Sequence, residues 1–191
     1  MMLRGSSAGA AVVSILAVLG CSDPAAPPAS GGATVQLSTV TPIETGKSCP
    51  SQGDPIFLAE GGVGPSATAK GKPFTDEEGG AEVSCSVGSG AEISFSGLIE
   101  KPASGMFFQV QGKVAKGGTG KATVSVFDPN STDVLKNPQD ALCDVSVENK
   151  PLVVGEESIW AEYSCPRLVS DDNLSILCDI DQSWFFFDHC K

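Results

Sequence analysis

From Val83 onward the chain alternates apolar and polar residues with a period of two. The pattern runs through Val83-Cys85-Val87, then Ile93-Phe95 with Ile99, then Met106-Phe108-Val110 with Val114, then Ala122-Val124-Val126. It continues through Cys143-Val145-Val147, Ile159 to Cys165, Leu174-Ile176-Cys178-Ile180 and Ser183 to Phe187. Alternation of this kind places every second side chain on one face of a strand. Glycine-rich turns at Gly88-Ser89-Gly90 and Gly117-Gly118-Thr119-Gly120 join neighbouring runs as antiparallel hairpins, and Asp128-Pro129-Asn130 and Asn137-Pro138-Gln139 mark further breaks. No segment carries a long amphipathic helical stripe. These features predict an all-β domain of about eight strands. A two-layer antiparallel β-sandwich is the first expectation, with Cys85, Cys143 and Cys178 on the inward phase, and a β-barrel is the alternative.

Two runs break the alternation: Met106-Phe107-Phe108 and Trp184-Phe185-Phe186-Phe187 are apolar on both faces. One reading makes Phe107, Trp160, Phe185 and Phe187 a binding face, because exposed aromatic rings stack on sugars or anchor a protein partner. The other, given more weight, covers such a strand on both sides, by the opposite layer and by a loop such as 61–72.

The chain starts differently. Arg4 is the single charge before an uncharged, mostly apolar stretch from Ala8 to Gly20. As a helix this run would extend about 20 Å, short of the ~30 Å hydrocarbon core, so it reads as a signal peptide over residues 1–20 and not as a membrane span. Val18-Leu19-Gly20-Cys21 closes it, and this junction resembles the lipobox of bacterial lipoproteins. The resemblance implies cleavage before Cys21, lipidation of Cys21 and attachment to a membrane through that lipid. Ser22 follows the anchor where Asp would direct retention, which in familiar Gram-negative sorting resembles outer-membrane export. An ordinary secretory signal, freeing the domain into the periplasm or medium, is the alternative. Residues 21–46, rich in Pro, Ala, Ser and Gly, are expected to form a flexible tether, with Thr34 to Val40 as an ambiguous first strand. The domain proper is then expected over residues 47–191, the size of a single core.

Cysteine usage fits an exported chain. Assigning Cys21 to lipid leaves six cysteines: Cys49, Cys85, Cys143, Cys165, Cys178 and Cys190. An even set in an exported chain suits a disulfide framework, whose connectivity sequence alone leaves open. The favoured pairing is Cys165 with Cys178, Cys49 with Cys85, and Cys143 with Cys190. No two cysteines have the close spacing of zinc sites and His189 is the one histidine, so no metal site is assigned. Asp179-Ile180-Asp181 and Asp171-Asp172-Asn173 are acidic clusters that complete no calcium-loop motif.

Acidic residues outnumber basic ones, 23 against 12; without Arg4, 11 basic residues stand against 23 and the side-chain balance is −12. Nucleic-acid binding needs clustered Lys and Arg, and no basic run occurs. Catalytic motifs are also wanting. Gly5-Ser6-Ser7-Ala8-Gly9 matches a nucleophile elbow but lies within the signal, and Gly46-Lys47-Ser48 and Gly118-Thr119-Gly120 are fragments of nucleotide motifs without the following helix. No catalytic residue and no cofactor are assigned. The expectation is a cell-envelope lipoprotein with a binding or structural role, recognising a protein or envelope polysaccharide. A carbohydrate-binding module comes second and a hydrolase third.

Overall fold

The computed structural model describes residues 25–40, 45–149 and 152–191. The signal peptide, the lipobox and Cys21 lie outside these residues. Among the described residues there are thirteen strands: β1 (Ser30–Val35), β2 (Leu37–Thr39), β3 (Ile56–Phe57), β4 (Phe74–Thr75), β5 (Glu82–Val87), β6 (Glu92–Lys101), β7 (Met106–Ala115), β8 (Thr119–Asp128), β9 (Asp133–Lys136), β10 (Cys143–Ser146), β11 (Val153–Gly155), β12 (Ser158–Ser170) and β13 (Leu177–Asp188). The chain is all-β and every strand pairing is antiparallel.

The short strands are pieces of longer ladders. Both β9 and β10 lie along β8, opposite Ser125–Asp128 and Thr119–Ala122, and both lie along β12 on their other side. They act as one strand interrupted at Asn137, whose side chain accepts from the Val124 N–H at 2.6 Å and donates to the carbonyls of Pro138 and Ala141. In the same way β1 and β2 follow one another along β13, with the Gln36 N–H held by the Ser183 hydroxyl. Counted as ladders, the sheet has eight positions, but not the eight of the alternation: the runs at 174–180 and 183–187 are one strand, β13, and the eighth position is β1. It runs β1, β13, β12, β10, β8, β7, β6, β5, with β3 and β4 on the outer edge of β1.

This single sheet curls into a small barrel, the second of the two expected architectures. Its inward phase forms one continuous core. Phe95 and Phe108 come from one wall, Tyr163, Phe185 and Phe187 from the other, with ring centroids 5.6–6.1 Å apart. The seam is fastened near β5, where Cys190 bonds to Cys85 and the Lys191 N–H donates to the Cys85 carbonyl at 3.0 Å.

Two expectations are corrected. The barrel starts at Ser30, within the stretch expected as tether, so its boundary is not residue 47. Gly31, Gly32 and Ala33 are buried against Phe187, Phe186 and their neighbours: a methyl at Gly31 would lie 2.7 Å from Phe187 Cδ1. Small residues are required there because aromatic rings fill the space, and smallness also gives the segment its linker-like composition. The cysteine pairing differs at every bond: Cys49–Cys178, Cys85–Cys190 and Cys143–Cys165. Cys165 and Cys178 lie on paired strands, but bulges around Pro166 shift the register, so Cys165 faces Ile180 and Cys178 faces Leu168. Cys165 instead meets Cys143, beside the paired residues Asp144 and Ser164.

Candidate functional site

Three of the four residues expected as a binding face are buried. Phe185 and Phe187 are fully buried inside the barrel, and Trp160 is 7% exposed on its outer side. Trp160 pairs across the ladder with Phe186. The long connection between β3 and β4 folds over this outer face, placing Ala59 and Val63 against Phe186 and Gly32. Lys70 Nζ sits 4.8 Å from the Phe186 ring centroid and 5.9 Å from that of Trp160, and pairs with Asp188. The apolar run is therefore covered on both sides, by the barrel core and by loop 58–72. No exposed aromatic row remains there for sugar stacking.

Phe107 has a different fate. It lies on the outer phase of β7, one position before Phe108, which pairs with Val126. This sets Phe107 beside Phe127 of β8, and both rings are half-buried. The segment from Ser51 to Leu58 runs opposite them, leaving a cleft of about 350 Å³ at the barrel seam. Its apolar wall is Phe57, Met106, Phe107 and Phe127; Ser51, Asp54, Ser104 and Asn130 supply its polar groups. Phe57 is 48% exposed, unusually open for a ring of this size. Among the described residues, Asp54 is the one ionisable side chain lining the cleft.

A buried network fixes the polar wall. Asp128 ends β8 fully buried, and its carboxylate accepts from the Ser51 hydroxyl, the Asn130 N–H at 3.0 Å and the Ser131 hydroxyl at 2.9 Å. The Asn130 amide donates to the Ser51 oxygen at 2.9 Å. A carboxylate buried at a barrel end needs such partners, because each lone pair left unsatisfied would be costly. Ser51 is also held from behind, since Cys49 is bonded to Cys178 at the start of β13. One wall of the cleft is thereby fixed by the fold itself.

Phe127 and Phe57 were not among the expected site residues. Phe127 had a readable signal: it follows inward Val126 directly and precedes the Asp128-Pro129-Asn130 turn, so it must face outward. Phe57 had none, because no alternation surrounds it.

Other candidate groups are dispersed. His189 is exposed in a left-handed turn after β13, with φ 58°, and no serine hydroxyl bonds it among the described residues. Asp179 and Asp181 share the hydroxyl of Ser38 on β2, and Asp171 pairs with Lys136. Among the described residues no group of three or more His, Cys, Asp or Glu is placed to hold a metal ion. Two larger depressions, about 460 and 490 Å³, lie on the outer face of β5–β8. The first is lined by Ser86, Ser94, Ser96 and Gln111, the second by Gly, Ala and Thr with Leu142 and Glu92, and Lys113 and Lys121 are paired to Glu92 and Asp144. The seam cleft combines three phenyl rings, a carboxylate and a fixed wall.

No protein-family model matches the chain, and no curated protein or solved structure matches it.

Proposed function

We propose that the chain is a bacterial cell-envelope lipoprotein, anchored through Cys21 and presenting the barrel as a binding module at a membrane surface. The observation that carries this reading is the cysteine count: three disulfides consume six of the seven cysteines, and the seventh is Cys21 of the lipobox-like junction. Disulfides of this number belong to oxidising compartments, which agrees with export through the apolar leader. The binding half of the reading rests on the seam cleft, which has the size range and the mixture of apolar walls and few polar groups typical of ligand sites. Ser22 after the anchor favours the outer membrane. The reading is of a binding role; the Ser51 hydroxyl in the cleft is held by Asp128 and Asn130 as part of the buried network that fixes the wall. The carbohydrate reading is weaker, because Trp160, Phe185 and Phe187 are buried and only Phe107 reaches a concave surface.

Metabolic labelling with palmitate tests the anchor. Label is expected on the chain in the membrane fraction and is expected to vanish, with release of the protein, in Cys21→Ser. Absence of label, or label that survives Cys21→Ser, overturns it.

A further inference from the structure

We infer that the seam cleft binds a small organic cation: an ammonium or amidinium group carried on a compact aromatic or aliphatic body. The inference rests on the binding role proposed above and is independent of the lipid anchor. Three phenyl rings, Phe57, Phe107 and Phe127, line the cleft together with Met106, and the charged residue lining it is Asp54. Aromatic faces carry negative potential and attract cations, and a carboxylate adds a directed, charge-assisted bond. The surroundings have the same sign. Glu100 pairs across the ladder with Phe107, Asp133 with Asp128, and the chain as a whole carries −11. Lys101, which pairs across the ladder with Met106, does not line the cleft and has its Nζ over the Phe74 ring, 5.1 Å from the centroid. An anion entering here would meet no positive side chain. Ser51 and Asn130 are already bonded to each other and to Asp128, which leaves the Asp54 carboxylate for a ligand: a cation bonds to it, and a purely apolar ligand gains nothing from it. The volume, about 350 Å³, holds a molecule of roughly one ring and a short amine arm, at the small end of ligand sites.

The test uses the full chain with its disulfides intact and three probes that share a phenyl ring: phenethylamine, phenethyl alcohol and phenylpropionate. Affinities are read by titration with NMR shift mapping. Phenethylamine is expected to bind saturably, with shifts at Phe57, Phe107 and Asp54, about tenfold more tightly than the alcohol, and phenylpropionate more weakly than either. In Asp54→Asn the advantage of the amine over the alcohol is expected to disappear; Asp54 is exposed, so the variant keeps the fold. In Phe107→Ala both ligands weaken several-fold. No saturable binding by the amine overturns the inference, as does equal affinity for amine and alcohol in the unaltered chain, or a preference that survives Asp54→Asn. Loss of palmitate label in the earlier experiment would leave these results unchanged, so the two readings fail separately.

Discussion

Phe187 of β13 fills the space that a side chain at Gly97 of β6 would need: a methyl there would come within 2.2 Å of Phe187 Cε2. The two strands are five positions apart in the sheet order, so they meet across the barrel interior and not along a ladder. Gly97→Ala is expected to lower stability by about 1–3 kcal/mol through overpacking. Adding Phe187→Leu should restore part of that loss, since the two sites share one volume. Urea unfolding of the single and double variants checks it; additive losses would show that the contact is not what limits residue 97.

The disulfides should rank by the length of chain they close. In the chain-entropy description, closing 105 residues through Cys85–Cys190 is worth about 5 kcal/mol, and closing 22 through Cys143–Cys165 about 3 kcal/mol. Replacing Cys85 and Cys190 by Ala should therefore cost more than replacing Cys143 and Cys165. Peptide mapping without reduction should return the three observed pairs, and chemical unfolding of the paired variants should give the order. A larger loss for the shorter loop would refute the ranking.

Tyr163 offers a pH prediction. Burial raises its phenol well above the ordinary value of 10.0, opposed in part by a hydrogen bond with Ser183. The folded pKa exceeds the unfolded one, so the folded state holds the proton more tightly. The contribution is fully present below about pH 10 and declines above it, by about 1.4 kcal/mol per pH unit until the folded pKa is reached. Tyr163 is the chain's one tyrosine, so an ultraviolet titration reports it alone. Its phenolate should emerge together with loss of far-ultraviolet β signal; ionisation near pH 10 with the fold intact would contradict its burial.

Asp128 should matter more to stability than any exposed carboxylate. Replacing it with Ala leaves Ser51, Asn130 and Ser131 without their acceptor at a fully buried position. A loss of about 2–3 kcal/mol is expected. Asp172→Ala, at an exposed turn, should change stability by less than about 0.5 kcal/mol. Thermal melts of both variants test the contrast, and similar losses would remove the buried network from the account.

Much of the barrel was legible because a half-buried strand writes its burial into every second residue. The turns at Gly88–Gly90 and Gly117–Gly118 separate the β5–β6 and β7–β8 hairpins as the sequence predicts. Even the covering of Phe186 by the loop near 61–72 followed from an apolar run too long for one face. The missed elements were those whose reasons lie elsewhere in the chain. Gly31 and Gly32 are small because Phe187 and Phe186 occupy their space, and those rings are more than 150 residues away. Nothing local distinguishes such a strand from a linker. The disulfides were illegible for a related reason: bulges near Pro166 reset which residues of β12 and β13 face one another, and alternation says nothing about bulges between strands. At the site, Phe107 was visible as an apolar residue on the wrong phase, while its partners depended on which loop the curled sheet brings opposite.

The early start of β1 also fixes a height. Only eight residues, Ser22 to Ala29, separate Cys21 from Ser30, and fully extended they reach about 30 Å. For a chain held by lipid at Cys21, the barrel patrols a thin shell above the bilayer instead of sweeping the compartment. Under the proposed binding role, a ligand would have to come down to it, and lengthening this segment, with the barrel untouched, would widen that reach.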